Sequence, residues 1–333
     1  MQQSIPYLVT LRVLATFLVI LIHASTGYLH TFSANSLDWS YANILNSMSR
    51  FSVPLFLLIS GALLLDKKED IFVFYQKRVT RILWPFLFWI TVYLVYYFYR
   101  YTNVEVLPAD RVLEISIEKI LHGPSAHLWF LYMIIGVYLA IPFIRILVRH
   151  ASEKEMYMLL SLWAASLLIM NKSYAAYMPK LDLSFFYGYA GYTVLGYMLA
   201  KKAFRVTNGT LAILIIVVIL FNTYGTRLYS QSVHGFSPAF YGYLALNNAL
   251  LASLVFLLCK NLLIKPPPAW LQALDRHSFG IYLVHIIVLN YVHPLVDLPT
   301  LYKIPVAALL TMLASFAIIF LLRKIPYGHY ISG

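Results

Sequence analysis

The chain has 333 residues, of which 61% are apolar, 16% aromatic and only 11% charged, and its mean hydropathy is +0.74. A soluble domain carries about a quarter charged residues, so a soluble globular protein is excluded and a chain dissolved in a bilayer is expected. The net charge of +12 is spread over separate loops, which argues against a nucleic-acid partner and for topology plus affinity for anionic membrane lipids.

Ten apolar stretches of near-spanning length follow one another, at 8–28, 49–66, 82–101, 128–147, 155–171, 184–200, 210–226, 239–259, 279–297 and 303–322. Each approaches the roughly 20 residues that cross a hydrocarbon core. Without water to satisfy peptide groups, such spans must be helical. The expected fold is an all-α integral membrane bundle of about ten transmembrane helices in one domain over 1–333. The first span reads as a retained helix: Arg12 interrupts the order of a signal peptide, and no small-x-small cleavage site follows.

Basic residues set the expected orientation. With the N-terminus inside, the inner segments hold Lys67, Lys68, Lys77, Arg78, Arg81, Arg145, Arg149, Lys154, Lys201, Lys202, Arg205, Lys260, Lys265, Arg276, Arg323 and Lys324. The outer segments hold fewer, so both termini are expected to be cytoplasmic. The stretch 101–127 reads as the longest outer loop, and KPPP at 265–268 as a rigid connector. No internal repeat and no appended soluble domain are recognised. The single cysteine, Cys259, excludes an intrachain disulfide and a Cys-rich metal site.

In the first span, RVLATFLVILIH at 12–23 sets an arginine and a histidine eleven residues apart. Eleven steps of about 100° and 1.5 Å bring both to one helix face roughly 16 Å apart. Taken alone, Arg12 also reads as an anchor snorkelling to head groups, and His23 as a packing histidine. Further along, KRVTR at 77–81 places Arg78 and Arg81 three residues apart, on one side of a helical turn. Two guanidinium forks so placed hold phosphate bidentately, although positive-inside sorting also accounts for arginines there.

Five motifs in order then carry a resemblance: Arg-x10-His in the first span, SRFSVPLFLLISG at 49–61, Arg-x-x-Arg before the third, HLWFLYM at 127–133 and SFGIYLVH at 278–285. Together they resemble the acyltransferase-3 family of membrane O-acyltransferases over most of the chain. That resemblance implies transfer of an acetyl group from cytoplasmic acetyl-CoA to a hydroxyl of a surface glycan or lipid-linked saccharide. It implies His23 as the key histidine, Arg12 as the family's first-span arginine, and Arg78 and Arg81 as acyl-CoA-binding residues; Arg12 lies too far along the helix to orient His23 directly and is assigned to CoA as well. The family's frequent acidic residue three positions before the first-span arginine is Val9 here, so no carboxylate is expected at that place.

The remaining site residues follow from position. Neutral His23 suits a general base, and an acyl-histidine is the competing route. Ser60 is the candidate to orient the imidazole or bind the oxyanion; a small residue beside Gly61 that lets helices approach is the plainer account. Tyr282 and His285 are expected to line a donor tunnel, or to form an interfacial pair. Asn46, Arg50, His127 and Trp129 are expected where an acceptor docks, Trp129 offering a stacking face. No metal is expected, since no ligand set at metal spacing occurs. A transporter or lipid-sugar flippase is the rival class, but none of the 13 acidic residues lies deep in an expected span and no paired repeat suggests alternating access. A non-catalytic scaffold is the third class.

Overall fold

A computed structural model describes residues 5–33, 35–102, 107–171 and 177–333. The described residues form helices and connections with no strand. In chain order the helices are α1 (Pro6–His30), α2 (Leu37–Ser47), α3 (Ser52–Leu64), α4 (Ile71–Tyr101), α5 (Ala109–His122), α6 (Trp129–His150) and α7 (Glu153–Ile169). They continue with α8 (Ala190–Lys201), α9 (Asn208–Ser232), α10 (Leu246–Leu262), α11 (Ala269–Leu295), α12 (Thr300–Leu322) and α13 (Gly328–Ser332).

The chain is an all-α, multi-pass membrane protein. Among the described residues seven segments are long and apolar enough to cross a bilayer: α1, α2 with α3, α4, α6, α9, α11 and α12. Every one of the ten expected spans falls on a helix, but α7 and α10 have 17 residues and α8 has 12. At 1.5 Å per residue those three reach only about 18–26 Å, short of a core about 30 Å thick. The second crossing starts earlier than expected, at Leu37, and bends between α2 and α3. Pro54 has no N–H to offer the Arg50 carbonyl, so the ladder breaks there and restarts with Leu55 N–H on Phe51 O.

The charge-mixed stretch expected as an outer loop contains a helix, α5, with none of its residues buried. Leu113, Ile117, Ile120 and Leu121 are exposed along it, and the Tyr132 hydroxyl ties it to α6 through the Ile120 carbonyl. The connector at 265–268 behaves as its prolines require: Pro268 caps α11, and the Gln272 side-chain amide Nε2 donates to Pro267 O at 2.8 Å.

The central helix is α1, with 72% of its apolar window buried against 22% for α9. It packs on α2, α3, α10, α11 and α12, which is why a polar face on α1 meets protein rather than lipid. Packing of α3 on α8 depends on two glycines. A methyl at Gly61 would lie 1.9 Å from Thr193 O, and one at Gly196 would lie 2.1 Å from Leu58 O. Backbone therefore touches backbone across this pair, the close approach that small residues permit. Gly61→Ala is expected to lower the unfolding midpoint of the detergent-solubilised protein, with a cost of about 1–3 kcal/mol or more from forced separation of the helices; an unchanged midpoint would contradict this packing.

Candidate functional site

A cavity of about 230 Å³ opens between α1, α3, α4, α6 and α11. Arg12, Arg78, Arg81 and Arg276 line it, together with one carboxylate, Asp275. The i, i+3 spacing on α4 sends Arg78 and Arg81 to the same cavity, as expected for neighbours on one helix face. Among the described residues neither forms an ion pair, and Arg78 Nε is buried without a partner. Arg12 Nη1, by contrast, donates to Asp275 Oδ1 at 2.5 Å. The other walls are apolar and aromatic, including Phe56, Ile59, Phe130, Ile134 and Tyr138, with Tyr282 in the lining as well. Cationic forks beside an apolar channel suit an elongated anion with a phosphate head and a less polar arm.

Next to the cavity the loop 65–70 is pinned by charge. Arg145, 2% exposed, donates from Nε to Leu64 O at 2.8 Å and from Nη2 to Glu69 at 3.3 Å, and Lys77 reaches Glu69 at 3.0 Å. Burial pushes the Glu69 carboxyl up, but its bonds to Lys77 and Arg145 outweigh that and hold it below the usual carboxylate range. This network fixes the start of α4 and with it the Arg78–Arg81 pair.

Beyond Tyr282 three imidazoles converge. The ring centroids of His23 and His285 are 5.3 Å apart, those of His127 and His285 4.9 Å, and those of His23 and His127 6.4 Å. Hydrogen bonds set the tautomers of His285 and His127. His285 Nδ1 lies 2.5 Å from the Tyr282 carbonyl and so carries its proton, leaving Nε2 buried without a partner. His127 Nε2 faces Leu283 O at 3.3 Å and must donate, so its Nδ1 accepts from Ser125 Oγ at 3.1 Å. The Tyr282 hydroxyl donates to His127 O at 2.5 Å, and Tyr93 packs on the His127 ring at 4.9 Å. His127 and His285 are 1% and 0% exposed, whereas His23 keeps accessible surface. Of the three, His23 is the least buried.

On the other side of His23, Asn46 and Arg50 project from α2 and the turn after it. Asn46 Nδ2 donates to Ile22 O at 3.1 Å and Ser25 Oγ at 2.8 Å, while its Oδ1 accepts from Arg50 Nε at 2.7 Å. The Arg50 guanidinium lies 4.3 Å from the Tyr241 ring centroid and 5.8 Å from that of Tyr243. Tyr243 stacks on Trp129 at 5.5 Å and 21°, and Tyr189 closes the group at 5.9 Å from Trp129. The segment bearing these tyrosines is held by Asn247 and Asn248, which donate to Phe240 O and Gly242 O. Arg50 is thus held against a group of packed aromatic rings, where its charge faces their π-systems.

The structure thus brings Arg12, Arg78, Arg81, Ser60 and Tyr282 into one cavity and gathers Arg50 and Trp129 through Tyr243. Three residues sit elsewhere than expected. His127 is not on an open acceptor surface, because the turn before α6 folds it onto His23 and His285. His285 does not line the cavity but is enclosed in the histidine cluster behind Tyr282. Asn46 is 0% exposed, its amide spent on α1 and Arg50. Ser60 lies in the cavity wall with its hydroxyl donated to Phe56 O at 2.8 Å, and the close helix approach beside it belongs to Gly61. Asp275, Tyr241 and Tyr243 were not singled out by sequence. Tyrosine is common throughout this chain, with 27 copies, so only contact with Arg50 distinguishes the last two. Among the described residues no three His, Cys, Asp or Glu side chains converge as ligands for a metal ion.

No carboxylate stands at Val9, and the acidic partner of Arg12 is Asp275 of α11. No curated protein and no solved structure matches the chain. The family profile described as an acyltransferase domain matches residues 5–324, nearly the whole sequence. The chain belongs to the acyltransferase-3 family of integral membrane proteins.

Proposed function

We propose that the protein is an O-acetyltransferase that moves an acetyl group from cytoplasmic acetyl-CoA, across part of the bilayer, to a hydroxyl of a surface glycan or lipid-linked saccharide. The observation that carries this reading is the run of side-chain contacts from an arginine-lined cavity, through Tyr282 and His285, to His23. The distribution of basic residues supports placing the cavity mouth and both termini on the cytoplasmic side, in a bacterial inner membrane. The arginines receive the phosphates of the donor, and its long arm carries the thioester toward His23.

In the proposed reaction neutral His23 takes the proton of the acceptor hydroxyl as its oxygen attacks the thioester carbonyl. The C–O bond forms, the C–S bond breaks, and the imidazolium returns the proton to the departing thiolate of CoA. Arg50 and the Trp129–Tyr243 pair hold the saccharide on the far side of His23, and Ser60 lines the path of the arm. The identity of the acceptor rests on resemblance: DWSYANILNSMSRFSVPLFLLISG at 38–61 is especially similar to the enterobacterial common antigen O-acetyltransferase, which points to an N-acetylglucosamine hydroxyl.

The test is to mix purified protein with acetyl-CoA and follow free thiol, with and without a saccharide acceptor. Thioester cleavage that needs His23 and is accelerated by acceptor is expected. Movement of a glycan across vesicles without cleavage would favour a flippase instead, and no interaction with either substrate a scaffold.

A further inference from the structure

An acid in a cavity built for an anion is a cost. Asp275 is the one acidic side chain beside four arginines among the described residues of the lining, and a fixed negative charge there repels incoming phosphate. Its position shows what it does instead. Its side chain is 14% exposed and that of Arg12 27%, and the two meet at 2.5 Å across 263 residues of sequence. This is a half-buried pair between two helices, not a mobile surface contact of the kind that contributes little.

The pair also has a counterpart further along the same two helices. From Arg12 to His23 is eleven residues of α1, and from Asp275 to His285 is ten of α11. At 1.5 Å per residue these are about 16 and 15 Å, so α1 and α11 run parallel with two rungs. One rung is Arg12–Asp275; the other is His23–His285, with centroids 5.3 Å apart. A long arginine side chain near a helix start otherwise has several rotamers, and three neighbouring guanidiniums push it out of the cavity.

We propose that Asp275 is a positioning residue for the donor: its carboxylate holds the Arg12 guanidinium in the cavity wall, ready for a phosphate, while pinning α11 in register with α1. The inference rests on the reading of this cavity as the acyl-CoA site. Asp275 acts only through Arg12, so its removal weakens donor binding and leaves the chemistry at His23 intact.

A double-mutant cycle tests this with full-length protein in detergent and CoA itself as the calorimetric probe. Asp275→Asn is expected to raise the Kd for CoA by about tenfold, the scale of one charge-assisted contact, and Arg12→Gln to do the same or more. The double variant should bind no more weakly than Arg12→Gln alone. At saturating acetyl-CoA the kcat of Asp275→Asn should stay within about threefold of the parent, a KM effect rather than a kcat effect. Asp275→Glu, which keeps the charge, should recover most of the affinity and guards against a merely misfolded Asn variant. Additive effects in the cycle, equal losses in Asn and Glu variants, or an unchanged or tighter Kd in Asp275→Asn would overturn the proposal. Absence of CoA binding by the parent protein would overturn the donor reading along with it, whereas binding by the parent with an additive cycle would overturn this inference alone.

Discussion

Replacing His23 with alanine is expected to abolish measurable acetyl transfer, a loss of about 10²- to 10⁴-fold for removal of a general base, while leaving folded yield and CoA binding unchanged. The separation of the two properties follows from distance: His23 stands roughly 16 Å along α1 from the arginine end, and only the arginines meet the phosphates in the proposed reaction. Among the described residues His23 also donates no hydrogen bond that holds the fold together; the neighbouring turn is secured by Asn46 on Ile22 O and Ser25. The measurement is thiol release from acetyl-CoA in the presence of acceptor, with calorimetry of CoA binding on the same preparation. Transfer retained in the alanine variant would remove the base assignment. Quenching the parent reaction with labelled acetyl-CoA distinguishes the two histidine routes, since label on the protein marks an acyl-histidine and its absence marks direct attack.

The second large effect is expected at the α4 pair. Arg78→Gln and Arg81→Gln should each raise the KM for acetyl-CoA by about 10- to 100-fold, the range for a charge-assisted hydrogen bond. The kcat at saturation should change little, because neither group approaches the reacting carbonyl in the proposed pose. Both arginines line the cavity and neither has an ion-pair partner among the described residues, so their loss breaks no ion pair there; Arg78 gives up only its contact with the Phe74 ring. Lysine at either position should be intermediate, keeping the charge but losing the planar fork. Steady-state kinetics over donor concentration would check this; a collapse of kcat with KM unchanged would place these arginines in the chemistry or the fold instead.

Much of this was legible before any coordinates. Helical membrane spans follow from long apolar runs, because a lipid-exposed chain must satisfy its peptide groups within itself. The alignment of Arg12 with His23, and of Arg78 with Arg81, needs only the helical repeat. Where the reading failed, the cause was contact between distant segments. His127 lies in a turn that looks peripheral along the chain, yet that turn folds inward onto α1 and α11. His285 was read by its height in a span, which says nothing about whether it faces a cavity or a neighbouring ring. The stretch 109–122 has the charge mixture of a loop, and its helix became visible only from the backbone.

Sequence by itself determined that the protein is a helical membrane bundle, which polar groups its helices carry, and how far apart those groups lie along each helix. These are properties of local geometry and of the solvent, and each is set within a turn or a span. Tertiary structure alone decided which helices stand side by side. It set Asp275 against Arg12, enclosed His285 and His127 around His23, and laid Tyr241 and Tyr243 under Arg50. Such pairings join residues up to 263 positions apart. Their partners are chosen by helix packing, including the close fit at Gly61 and Gly196, and no periodicity within a single segment encodes that choice.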